Sequence, residues 1–110
     1  MQKRLKKRGT QMKSDYQMYV ERLAKGEVIA LAVESSNLSA WSYNPSTQVL
    51  TILFNKKTIY KYKNVDNKTA FQLLRTHFRG ESVGKKFHEL IYGRYEYTKI
   101  NQSDMVLVGE

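Results

Sequence analysis

Apolar and polar residues exchange places every second position from Leu38 to Lys63, and turn chemistry interrupts that period twice. Successive side chains of a strand point to opposite faces, so the pattern predicts strands over Leu38–Tyr43, Val49–Phe54 and Thr58–Lys63. Asn44, Pro45, Ser46 and Thr47 supply the first turn, and Asn55, Lys56 and Lys57 the second, which together make an antiparallel meander. On the middle strand Leu50, Ile52 and Phe54 form the expected core face. On the third, Tyr60 and Tyr62 share one face while Lys61 and Lys63 share the other. The apolar run Val28–Val33 fits either a buried strand or an extended segment feeding the sheet, and periodicity does not separate the two.

Elsewhere the period lengthens and the chain is expected to be helical. Ser14 followed by Gln17 matches a capping box; Tyr16, Tyr19, Val20 and Leu23 then lie at helical spacing, and Gly26 sits where a left-handed cap stops a helix. These signals predict a short helix from about Asp15 to Lys25. After Val65, Asp66 or Asn67 caps a second helix whose apolar positions are Ala70, Phe71, Leu74 and Phe78, with Gly80 at its stop. A third, from about Val83 to Tyr92, presents Phe87, Leu90 and Ile91 inward and ends at Gly93. Arg94–Ile100 alternates again and reads as a further strand, while the apolar Met105–Val108 segment has no partner that the sequence specifies. The expected class is α+β: a small antiparallel β-meander packed by two helices, with an additional N-terminal helix. In domain terms this is a single domain over residues 27–110, preceded by a helical segment at 14–26 and a flexible basic arm at 1–13.

Charge adds a direction to this picture. The chain has 110 residues and a formal net charge of +9. Residues 1–26 carry eight Lys or Arg against two acids, and five of those cations, Lys3, Arg4, Lys6, Lys7 and Arg8, crowd the extreme terminus. Such an arm draws nucleic acid or another acidic surface by long-range attraction, or simply solubilises the protein. The absence of cysteine excludes disulfides and thiolate metal sites. No apolar run is long enough for a bilayer span, and the expectation is a soluble, cytoplasmic protein.

The motif Tyr60-Lys61-Tyr62, preceded by Ser35-Ser36 and followed by Val65, Ser82-x-Gly84-x-x-Phe87, Ile91 and Tyr95, resembles the KTSC domain family. This is a small domain found alone in bacterial and phage proteins and at the C-terminus of some lysyl-tRNA synthetases. The likeness covers about residues 33 to 97. It implies an antiparallel sheet packed by helices and a role in binding RNA or other nucleic acid. Asp66 stands where the family usually has Pro, and His88 where it often has Asn. Residues 1 to about 27 lie outside the likeness.

Candidate contacts follow from these placements. Tyr60 and Tyr62 either stack on unpaired bases or cover the core beneath the helices, and strand aromatics facing helices more often pack. Lys56, Lys57, Lys61 and Lys63 can gather into one basic patch that neutralises phosphates, or serve as a solvated sheet face. Trp41 and Tyr43 share a face, with Trp41 preferred as a core residue. Lys85 and Lys86, after Gly84, resemble an anion site at a helix start, against the plainer reading of an interhelical turn capped by Ser82. His77 and His88 belong to no catalytic arrangement or metal-ligand spacing, nor do Glu81, Glu89 and Glu96 make a catalytic pair. No cofactor or metal is expected. The reading that results is a non-enzymatic nucleic-acid-binding module for single-stranded RNA or DNA, using a Lys/Tyr sheet surface and the basic arm. Its rival is a protein-binding module, such as a phage-encoded inhibitor of a host enzyme, resting on Tyr16 and Tyr19 beside the arm.

Overall fold

The computed structural model describes residues 14–34, 37–55 and 57–101. The basic arm, Ser35, Ser36, Lys56 and the Met105–Val108 segment therefore lie outside the described residues. Among the described residues three helices and five strands follow in the order α1 (Asp15–Ala24), β1 (Ile29–Ala32), β2 (Leu38–Asn44), β3 (Val49–Phe54), β4 (Thr58–Tyr62), α2 (Asn67–Phe78), α3 (Val83–Leu90) and β5 (Tyr97–Asn101). The strands form one antiparallel sheet in the order β1-β2-β3-β4-β5. This is the α+β meander with an N-terminal helix that the sequence predicts.

Register sorts the side chains into rows across the sheet. Two rows face the helices: Ile29, Tyr43, Leu50, Tyr62 and Tyr97, then Leu31, Trp41, Ile52, Tyr60 and Lys99. The rows behind them carry Ala32, Ala40, Leu53, Ile59 and Ile100, then Ala30, Ser42, Thr51, Lys61 and Thr98. From β1 to β3 the helix-facing rows are buried, and they join Leu23 of α1, Ala70, Leu73 and Leu74 of α2, and Val83 and Phe87 of α3 in a single core. Val28–Val33 thus supplies an edge strand with Ile29 and Leu31 inward and Ala30 and Ala32 exposed, not a fully buried one. A register shift between Leu38 and Ala40 inserts one residue into β2, so that Leu38 and Trp41, three apart, both reach the core. Ser39 at that bulge donates its hydroxyl to Asn55 Oδ1 in the β3–β4 turn.

Local capping sets the helix limits. The Ser14 hydroxyl accepts from the Gln17 N–H at 3.2 Å, and Gln17 Oε1 accepts from the Ser14 N–H at 3.3 Å, the reciprocal box expected. Gly26, at φ +84°, turns the chain out of α1 into β1. Asp66 caps α2 by accepting from the Thr69 N–H at 2.9 Å. Thr69, through its side chain and its backbone, holds the Asp66 carboxyl below its ordinary value of 3.8. Asp66→Ala is expected to cost about 1 kcal/mol in thermal or denaturant melts at neutral pH. Because the native carboxyl is the stronger acid, that contribution is complete above pH 3.8 and fades as pH falls further, so the two proteins should converge in acid.

Two expectations for the helices change. In α2 the buried positions are Ala70, Leu73, Leu74 and Thr76, whose hydroxyl donates to the Gln72 carbonyl at 2.9 Å. Phe71 is half-buried, and Phe78 turns toward α1, where its ring meets Tyr16 at 5.8 Å and Tyr19 at 5.7 Å. That flank of α2 packs on a helix and not on the sheet. Helix α3 stops at Leu90, short of Tyr92, because the Tyr92 N–H reaches back to the Phe87 carbonyl in a widened final turn. Gly93, at φ +77°, belongs to the turn that follows. The last strand begins at Tyr97, three residues later than expected.

An aromatic cleft as candidate nucleic-acid interface

Helices cover β1 to β3 but leave the helix-facing side of β4 and β5 partly open. The opening is a cleft of about 590 Å³ between α3 and the end of the sheet, within the usual size range of small-molecule sites. Phe54, Tyr60 and Tyr62 line its sheet side, Gly84, Phe87, His88 and Tyr92 its helix side, and Lys99 its outer end. Tyr60 stacks on Tyr97 at 5.0 Å between ring centroids and 20° between planes. His88 stacks on Tyr92 at 4.4 Å and 22°. Tyr62 lies deeper, edge-on to Phe87 at 5.4 Å, while Tyr97 remains 54% exposed and Tyr92 59%. The result is an aromatic floor with two stacked pairs at the rim, the arrangement on which planar heterocycles stack.

At Gly84 a Cβ would meet Leu38 Cδ1 at 3.6 Å, ordinary contact, so the fold has room for alanine at this point of the cleft wall. Asn37 and Asn55 place amides at the same mouth.

Burial acts on the deeper phenols. Desolvation, followed by the neighbouring Tyr60, Tyr97 and Tyr92, pushes Tyr62 from 10.0 up to about 12. Tyr43 rises equally, through burial and then Asp66 and Tyr95; its hydroxyl donates to the Val65 carbonyl and lies 2.8 Å from Asn67 Oδ1. A raised phenol stabilises the fold fully below pH 10, and that stability is lost as pH climbs through about 12. Denaturant melts should therefore be flat up to pH 10 and weaken above it, with Tyr62→Phe weakening less. A phenolate titration should show late-ionising tyrosines among the eight.

The expected site residues separate in space. Lys3, Arg4, Lys6, Lys7, Arg8 and Lys56 lie outside the described residues. Tyr60 and Tyr62 face the helices, Tyr62 packed at only 2% exposed and Tyr60 half-buried with part of its ring open. Lys61 points from the opposite face, beside Thr51 and Thr98. Tyr60 and Lys61 therefore present no common surface, and the cation that shares the tyrosine face is Lys99. Lys57, at φ +65° in the β3–β4 turn, and Lys63, just past β4, are both exposed. At the start of α3 the Lys85 N–H is taken by Ser82 Oγ at 3.1 Å, the plain cap, and Lys86 is paired with Glu89 at 3.2 Å. Trp41 is core, 1% exposed.

Sequence reasoning missed Lys99, Tyr92 and His88 as members of the cleft, and Tyr97 as the ring stacked on Tyr60 beside it. For Tyr97 and Lys99 the signal was the alternation Tyr95, Tyr97, Lys99, which does not reveal the strand they pair with; His88 and Tyr92 lie four apart at the end of α3, a spacing that does not say what they face.

A five-stranded antiparallel meander backed by helices, with a Tyr-x-Tyr strand facing a Ser-x-Gly-x-x-Phe helix, defines a class of small α+β domain. Residues 34–95, more than half of the chain, match the KTSC domain, and the chain belongs to the KTSC domain family. A lysine–tRNA ligase from Nostoc sp. is 32% identical over 71 residues, 64% of this chain but only 12% of that enzyme's length. A KTSC domain protein of Yersinia pestis, known from its crystal structure, has the same fold with a TM-score of 0.56, covering 67% of this chain and 99% of that one at 24% identity. Helix α1, β1 and β5 lie outside the matched span, so Lys99 of the lining and Tyr97 beside Tyr60 come from beyond it. Among the described residues no helix is long and apolar enough to cross a membrane.

Proposed function

We propose that this protein is a non-enzymatic nucleic-acid-binding module that holds unpaired bases of RNA or DNA in the cleft between α3 and β4–β5. The observation that carries this reading is the Tyr60–Tyr97 stack at the mouth of the cleft with Lys99 beside it. Rings accept any base face, and the ammonium meets the phosphate attached to it. The net charge of +9 supports the same ligand class, as does a relative whose name includes tRNA. Single strands are favoured because a stacked duplex offers no free base face to a cleft of this kind.

The rival protein-binding module rests on Tyr16 and Tyr19. Both rings pack against Phe78, and Arg22 lies over Tyr19 at 5.5 Å, so they support the helix layer instead of standing free. Binding of single-stranded RNA, single-stranded DNA and duplex DNA across a salt series, with full-length protein and a form lacking residues 1–13, tests the proposal. Single strands should bind tighter than duplex, affinity should fall steeply with salt, and the shortened form should show a shallower slope. Duplex preference, or a stoichiometric protein partner that copurifies and survives nuclease, would overturn it.

A further inference from the structure

On the other flank of α3 lies a second depression, of about 370 Å³, bounded by α2. Lys68, Gln72, Arg75 and Arg79 occupy positions i, i+4, i+7 and i+11, one continuous face of α2 and its cap, running about 16 Å. Lys86 of α3 closes the far wall, and among the described residues Glu81 is the one carboxylate in the lining. Lys68, Arg75 and Arg79 are exposed, and among the described residues neither arginine has an ion-pair partner. Lys68, Arg75 and Arg79, with Lys86 already shared with Glu89, outnumber the acid of the lining, and a groove between low-dielectric helix walls focuses their positive potential. Neighbouring cations on one helix face repel one another, a cost that an anion lying along them removes.

The groove and the aromatic cleft share α3 as their common wall. Gly84, Phe87 and His88 face the cleft and Lys86 the groove, with exposed Lys85 on the helix between them. We infer that the α2–α3 groove is a phosphodiester-binding track, which takes the backbone of a single strand whose base is held in the aromatic cleft. The inference rests on the nucleic-acid reading above and adds to it a second site of different chemistry. Guanidinium groups grip phosphate oxygens in pairs, and a row of them follows a backbone without reading its sequence.

Arg75→Gln combined with Arg79→Gln tests the track. Both side chains are exposed, so thermal melts should match those of the parent. For an oligouridylate of about twelve residues the plot of log affinity against log salt should become shallower by about 1.4, the loss of two phosphate contacts on a single strand. A dinucleotide, too short to leave the cleft, should bind both proteins alike, as followed by the NMR shifts of His88 and Tyr97. Arg75→Lys with Arg79→Lys keeps the charges and should keep the parental slope. An unchanged slope in the glutamine variant overturns the track and leaves the cleft reading standing. Equal loss for dinucleotide and oligonucleotide also overturns it, since the two sites would then not be separate. Failure of the parent protein to bind any oligonucleotide overturns both readings.

Discussion

Replacing Tyr60 and Tyr97 together with alanine is expected to lower the affinity for single-stranded oligonucleotides about 5- to 150-fold, the range for one lost stacking contact of about 1–3 kcal/mol. The pair is chosen because its removal spares the centre of the core. Tyr97 is 54% exposed on an edge strand, and Tyr60 is half-buried at the open end of its row. Tyr62 would be a poor choice, since it is buried against Phe87 and its loss confounds folding with binding. Tyr60→Phe with Tyr97→Phe supplies the control. Stacking needs the ring and not the hydroxyl, so the phenylalanine protein should bind within about a factor of three of the parent. Fluorescence anisotropy with labelled oligouridylate gives both numbers, and equal affinity of the alanine and parent proteins would remove the stacking platform from consideration.

The second large effect concerns the fold. Trp41 is 1% exposed in the second row of the sheet, flanked by Leu31 and Ile52. Trp41→Ala should cost about 3–5 kcal/mol, lost transfer energy plus the cavity left behind. Domains of this size hold only about 5–15 kcal/mol, so the variant should melt more than about 10 °C lower, or fail to fold at 37 °C. Trp41→Phe should be far milder. It keeps a ring in the site and removes an indole Nε1–H that has no hydrogen-bond partner among the described residues. Denaturant midpoints of the three proteins decide the matter, and a Trp41→Ala midpoint close to the parent would show that the core does not centre on this residue.

Much of this architecture is legible from local pattern. The middle strand, the capping box at Ser14 and the caps at Asp66 and Ser82 depend on residues only a few positions apart, and each falls where the sequence places it. What escapes is set by distant partners. Phe78 has the spacing of a core residue, yet whether it meets sheet or helix depends on where α1 docks. Strict alternation sets Leu38 opposite Trp41 and Tyr43, and the bulge that brings all three to the core is located only by pairing with β3. Tyr97 and Lys99 become site residues only through their pairing with Tyr62 and Tyr60, some 35 positions earlier. The basic stripe of α2 was present in the spacing of Lys68, Arg75 and Arg79. Its meaning came from Lys86 on the facing helix.

Strand order has a consequence for how the molecule opens. From β1 to β4 every strand pairs with its immediate successor through a short connection, whereas β5 joins β4 only after two helices have intervened. Loop closure makes that last pairing the costlier one to form, and an edge strand is the cheaper one to peel away. Amides of β5 should accordingly exchange with solvent sooner than those of β2 and β3. A base lodged against Tyr60 and Tyr97 would stitch this seam, slowing exchange along β5 by an amount that rises with ligand concentration.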